Sequence, residues 1–271
     1  FDTAAPEIVG VENGKTYYVT KKVAVDDENL ESATLNGETV ETVFTLKGDT
    51  EATYIIRAED KAGNVTEYTV YMKPISSVTE AVSGITVDNV KSDDGDIVSA
   101  VERQILDISE SFDDGESAED EWNKLLEVAA KCKALNQRIA DVANEITRLT
   151  DAVNGYGIDR VTSADKADIE KLIADIDRLL FGNNLTAAER AALEALKGTA
   201  RALLDRISAA KGAAESDEIK AVDGITKDNV KLGDKEPLKK AEKALEGALR
   251  DFDGNYTEEE SRNLGEKLEA V

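Results

Sequence analysis

Up to about residue 74 the apolar positions of the chain alternate with polar ones. In ATYIIRAE, residues 52–59, Tyr54, Ile56 and Ala58 share one face, and in VTEYTVYM, residues 65–72, Tyr68, Val70 and Met72 do the same. A period of two is the pattern of a strand with one face buried. KTYYVT, KKVAV, ESATL and ETVFTL are equally rich in Val, Tyr, Thr and Ile. Turn signals separate these runs, the strongest being Asn36-Gly37 and Lys61-Ala62-Gly63-Asn64. The pattern predicts about seven short strands and, from them, an immunoglobulin-like β-sandwich over residues 1–75. The Cys-Trp-Cys core of antibody domains is absent.

After Pro74 the period lengthens to that of helices. Ile97, Val101, Ile105, Ile108 and Phe112 fall on one helical face, as do Ile169, Ile173, Ile176 and Leu180, and Leu238, Ala241, Leu245, Ala248 and Phe252. An acid stands four residues before the first apolar position of each: Asp93, Asp165 and Asp234. A carboxylate there complements the positive end of a helix. Pro237 falls in a first turn, where proline is tolerated. Longer seams follow, through Cys132, Leu135, Ile139, Val142, Ile146, Leu149 and Val153, and through Leu193, Leu196, Ala200, Leu203, Ile207 and Ala210.

These helices repeat. AVSGITVDNVK at 81–91 returns almost letter for letter as AVDGITKDNVK at 221–231, and the phrase AVxG occurs at 81, 152 and 221. A hydroxyl three residues before a carboxylate, the signature of a capping box, recurs as Ser117 with Asp120, Thr186 with Glu189 and Thr257 with Glu260. The nearly constant spacing of these marks defines an array: repeat one at 81–151, repeat two at 152–220, and a truncated repeat three at 221–271. Each second helix is too long for its own first helix to cover. Either it breaks to give a three-helix bundle, or its far half packs on the neighbouring repeat; the absence of Pro and Gly between Ser117 and Val153 predicts an unbroken helix in repeat one. Gly84, Gly155 and Gly224 are expected to end one helix and reverse the chain, so that Gly155→Val disturbs a joint more than a change at Gly198. The fold class expected is thus multi-domain α and β, a sandwich followed by all-α helical-bundle repeats.

Charge narrows the partners. The chain has 57 acidic and 33 basic residues, a net charge of -24 and no histidine. Nucleic acid is not expected as a partner, since binding phosphates requires a positive surface, and no membrane contact is expected. Without histidine the usual Ser/His/Asp and Cys/His nucleophilic arrangements cannot be built. The single cysteine, Cys132, lies on an apolar seam and reads as an inert buried thiol. No signal peptide is found, and Phe1 opens directly into linker-like sequence, so an excised fragment is expected.

DTAAPEIVGVENGKTYY, VDDENLESATLNGE and, most specifically, DKAGNVT resemble the bacterial immunoglobulin-like modules of large Gram-positive cell-surface and secreted proteins. VTSADKADIEKLIADIDRLL, NLTAAERAALEAL and KLGDKEPLKKAEKAL are similar to helical repeats that accompany such modules in Firmicute surface proteins. The resemblance implies an extracellular, cell-surface or secreted setting. It implies a non-catalytic spacer or scaffold whose partners are other domains of the same polypeptide. The alternative is an adhesin-type module for a host protein or glycan.

Candidate chemistry is sparse. Asp251, Asp253 and Asn255 have the spacing of the first ligands of an EF-hand loop, but Tyr256 stands where the loop needs glycine and Arg262 where it needs glutamate. Asp26, Asp27 and Glu28, and Glu59 with Asp60, are acid clusters that read as solvated turns. Trp122 reads as core, although an exposed tryptophan stacks on sugars. Tyr17, Tyr18, Tyr54, Tyr68 and Tyr71 lie in expected strands. No catalytic, cofactor-binding or metal-binding residue is expected, and no cofactor.

Overall fold

A computed structural model describes residues 3–110 and 119–271. Its contacts divide the chain into two units, Phe1–Ala140 and Asp141–Val271. Ser117 and Phe112, and with them the first expected capping box, lie outside the described residues.

Eight strands precede residue 73: β1 (Glu7–Val9), β2 (Thr16–Tyr17), β3 (Lys21–Asp26), β4 (Leu30–Leu35), β5 (Glu38–Thr39), β6 (Val43–Leu46), β7 (Ala52–Asp60) and β8 (Val65–Met72). They form a three-stranded sheet in the order β1-β3-β6 and a five-stranded sheet in the order β2-β8-β7-β4-β5. All pairings are antiparallel except β2 with β8. Alternation works as expected: Ile56 and Ala58 on β7 and Val70 and Met72 on β8 meet Val23, Val25 and Leu46 of the other sheet in one core. Asn36 and Gly37 both take positive φ, 51° and 87°, as a two-residue hairpin turn requires.

KTYYVT does not run as one strand. Only Thr16 and Tyr17 pair with β8, because the next three residues turn to the helices. The Tyr18 hydroxyl accepts from Gln104 Nε2 at 3.2 Å, Val19 joins the helical core, and Thr20 gives both its N–H and its hydroxyl to the Glu121 carboxylate at 2.9 and 3.0 Å. A charge-assisted pair of hydrogen bonds contributes about 2 kcal/mol. Glu121→Ala should therefore lower the stability of the first unit by about that amount in a urea melt, with Glu121→Gln intermediate.

Helices follow: α1 (Ser76–Thr79), α2 (Gly95–Glu110), α3 (Glu119–Asn154), α4 (Lys166–Phe181), α5 (Ala187–Ala214), α6 (Asp217–Lys220), α7 (Lys235–Asp251) and α8 (Glu258–Ala270). Among the described residues every strand lies before residue 73. The first helix of each repeat is introduced by a single 3-10 turn whose last residue, Asp94, Asp165 or Asp234, accepts the N–H of Lys91, Thr162 or Lys231, each at 2.8 Å. This box fixes the helical register. In repeat one the functional carboxylate is therefore Asp94 and not Asp93, and the buried residue four positions on is Val98, while Ile97 is 46 % exposed. The counterparts are Ile169, fully buried, and Leu238, half-buried. In α4 Leu172 is buried and Ile173 only partly so.

The second helices resolve the covering problem. α3 is unbroken over 36 residues. Within the first unit Leu125, Cys132 and Leu135 of α3 pack with Val98, Val101, Ile105 and Ile108 of α2. Within the second unit Val142, Leu149 and Val153 of the same helix pack with Ile169, Ile176 and Leu180 of α4 and Leu193, Ala200 and Leu203 of α5. The far half of one repeat's long helix thus belongs to the core of the next. α5 is broken: it ends at Ala214, and Ser216 sits at the N-cap of the short α6. Its far end still contributes Ala210 and Ala214, with Ile219 of α6, to a core with Leu245, Tyr256 and Leu264 of repeat three.

The repeated phrase is a turn held by asparagine. Asn89 Oδ1 accepts the N–H of Thr86 and its Nδ2 donates to the Gly84 carbonyl; Asn229 does the same with Thr226 and Gly224, at 2.7 and 2.8 Å. The three glycines are not equivalent. Only Gly224 has a positive φ, 84°. Gly155 continues the α3 hydrogen-bond pattern to Asp151, and a Cβ there would meet the Ala152 carbonyl at 3.3 Å; a Cβ at Gly84 or Gly198 would meet nothing.

Candidate functional site

The first unit carries a groove of about 680 Å³ between the turn at Gly48 and Asp49, the segment from Pro74 to Ser83, and one face of α3. Glu121, Lys124, Val128 and Lys131 step by three and four along α3, so all four side chains reach this side. Ile75 and Val82 form a buried floor. Two of the charges already hold the fold. Glu121 binds Thr20, and Lys131 Nζ donates to the Val82 and Ser83 carbonyls at 2.6 and 3.2 Å. Asp49, Lys124 and Glu127 complete a mixed-charge rim. The lining contains no thiol and, in a chain without histidine, no imidazole.

The second unit contains a buried polar cluster at the turn between α7 and α8. Asn255 is 2 % exposed. Its Nδ2 donates to the carbonyls of Ile158 and Val161 at 2.8 and 2.9 Å, and its Oδ1 accepts from Arg206 Nε at 2.7 Å. Arg206 also donates to the Asp251 carbonyl at 2.7 Å and lies over the Phe252 ring, 4.2 Å from its centroid. The Tyr256 hydroxyl donates to the Ala210 carbonyl at 2.9 Å, and burial pushes this phenol up. The Ser163 hydroxyl donates to Glu260 Oε1 at 2.7 Å. Burial alone would raise the Glu260 carboxyl, but the hydrogen bonds from Ser163 and Thr257 outweigh it and hold the group below its ordinary value. Gly254 closes the cluster, since a Cβ on it would stand 2.1 Å from the Asp159 carbonyl oxygen.

The calcium-like spacing of Asp251, Asp253 and Asn255 therefore does not converge. Asn255 turns inward to a guanidinium, a cation where a calcium ligand would need one of its own, while Asp251 is paired with Arg250 at 2.9 Å and Asp253 is exposed. Millimolar calcium should leave the melting temperature of the second unit unchanged, and a rise of several degrees lost in Asp253→Ala would show the turn to be a metal loop.

The other candidates are dispersed. Asp60 is buried at the β7–β8 turn, where it accepts from the N–H groups of Ala62 and Asn64 at 2.8 Å and from Asn64 Nδ2 at 2.7 Å. Desolvation works to raise its carboxyl, and these hydrogen bonds bring it below the ordinary range. Asn64 Nδ2 also reaches the Ala4 carbonyl, and Thr66 Oγ1 donates to Pro6 at 2.6 Å. DKAGNVT is thus a turn that ties down the N-terminal segment. Asp27 accepts from the Asn29 N–H, within its own turn. Trp122 is half-buried against the α2–α3 core. Cys132 is fully buried, and desolvation raises its thiol. Tyr17 is buried with the ammonium groups of Lys15 and Lys21 near its ring, and Tyr71 is 41 % exposed. Among the described residues no three carboxylate or thiol side chains gather as a metal site, and no helix is long and apolar enough to cross a membrane.

Comparison with known proteins found no family model, no curated protein and no solved structure that matches the chain.

Proposed function

We propose that this chain is a non-catalytic extracellular spacer or scaffold region of a larger bacterial cell-surface or secreted protein, with an immunoglobulin-like module followed by helical repeats. The observation that carries the reading is the sharing of long helices: α5 serves the cores of repeats two and three, so neither is complete alone. Such coupling transmits stability from one repeat to the next, which a spacer needs and a single binding site does not. Two sheets around one core, and the folding of DKAGNVT into a turn that holds the N-terminal segment, support the module assignment.

A binding role for a host protein or glycan is the second reading, favoured by the groove beside α3. A glycan array and a panel of immobilised serum and matrix proteins, probed with the intact chain at micromolar concentration, separates the two. The spacer reading expects no saturable binding. Saturable binding that is weakened by Lys124→Glu would make the chain a binding module.

A further inference from the structure

The loop after α3 is where repeat three docks on repeat two. Asn255 reaches its Ile158 and Val161 carbonyls, Gly254 fits against Asp159, and Ser163 meets Glu260. The Val161 side chain is 1 % exposed within the core of repeat two, and its carbonyl faces the turn of repeat three. The equivalent loop of repeat three places Lys227, Asp228, Val230 and Leu232 at the positions of Ile158, Asp159, Val161 and Ser163.

The two loops share one hydrogen-bonded turn. In the first, the N–H groups of Arg160 and Val161 both donate to the Gly157 carbonyl; in the second, those of Asn229 and Val230 both donate to the Thr226 carbonyl. Their coverage differs. Val230 is 47 % exposed and Leu232 is 91 % exposed. Val230 and Leu232 thus stand open on a loop whose twin gives its Ile158 and Val161 carbonyls to the turn of a neighbouring repeat. Exposed apolar positions gathered on a preformed backbone are the mark of an interaction surface.

We propose that residues 226–232 form a docking surface for the inter-helix turn of a further helical repeat of the same kind. The occupant presents glycine, asparagine, an apolar residue and threonine in sequence, as Gly254, Asn255, Tyr256 and Thr257 do. Its asparagine donates to the carbonyls of Lys227 and Val230, and its glycine passes against Asp228. Leu232, standing where Ser163 has a hydroxyl, adds apolar contact in place of that hydrogen bond. This surface follows from the internal joint and does not depend on the spacer role, which the ligand panel tests separately.

The test lengthens the chain by repeating residues 201–271 after Val271. α8 then continues through copies of Arg206 and Ala210 and is followed by a fourth loop, helix and turn. In the original chain Val230→Asp should shift the melting midpoint by less than about 1 °C, as surface substitutions do. In the lengthened chain it should lower the midpoint by about 5 °C, the scale expected when a carboxylate is placed in a desolvated joint. Replacing the appended copy of Asn255 by alanine should act similarly. Amide exchange of residues 226–232 should slow in the lengthened chain, a readout that needs no substitution. Equal effects of Val230→Asp in the two chains, or unchanged exchange, would overturn the proposal. So would self-association of the original chain that Val230→Asp abolishes, since the occupant would then be a second copy.

Discussion

Gly254→Ala should destabilise the 141–271 unit by about 3 kcal/mol and lower its melting midpoint by roughly 10 °C. The single methyl would stand 2.1 Å from the Asp159 carbonyl oxygen and 3.2 Å from its carbon. Both contacts are backbone, so no side chain can swing away, and the turn must retreat from the loop. Retreat takes Asn255 with it and strips its donors from the partly buried Ile158 carbonyl and the buried Val161 carbonyl, where an unmade buried hydrogen bond costs about 1–3 kcal/mol. Gly198→Ala gives the opposite sign. That glycine is exposed inside α5 with nothing within 4 Å of a Cβ, so alanine should stabilise by about 0.5–1 kcal/mol through helix propensity alone. Melts of the two variants against the wild-type chain check both. Destabilisation of equal size at both sites would mean that Gly254 is ordinary helix-end glycine and that the joint does not rest on close approach.

Periodicity made the architecture legible because it depends on burial alone. The change from alternation to three-and-four spacing at Pro74 marks where strands stop, and the regular return of AVxG separates the repeats. Thr186 with Glu189 and Thr257 with Glu260 cap helices as their spacing predicts. Register in repeat one was not legible from apolar spacing, since Ile97 and Val98 are adjacent and both apolar. The Lys91–Asp94 box decides between them, and its lysine contributes only a backbone N–H that no side-chain signature reveals. Tyr18, Val19 and Thr20 read as strand because their residue types suit one, yet the partners of Tyr18 and Thr20, Gln104 and Glu121, lie 86 and 101 residues away.

The joint asparagine was hidden by a stronger local pattern. Asp251, Asp253 and Asn255 suggest a cation site when the turn is taken alone. Alignment of the repeats gives a different signal: Asn184 occupies the same place in repeat two, without the acids, and is also buried, at 5 % exposure. What recurs is the amide, and an amide can give two hydrogens to backbone carbonyls while accepting one from a guanidinium, which neither aspartate nor leucine can do.

Asn255→Ala should accordingly cost about 3 kcal/mol in the 141–271 unit, while Asp253→Ala, two residues away and exposed, should stay within about 0.5 kcal/mol. The first change leaves one buried and one partly buried carbonyl without that donor and Arg206 Nε without its acceptor. Arg206→Ala should cost nearly as much, because it also removes the bond to the Asp251 carbonyl and the guanidinium over Phe252. The two residues act on one turn, so the double variant should lose about 1 kcal/mol less than the sum of the singles. A double-mutant cycle by urea denaturation measures this coupling. Additive losses would mean that Arg206 and Asn255 stabilise the unit separately. A loss at Asp253 as large as that at Asn255 would return the turn to its acids, and the joint would need another explanation.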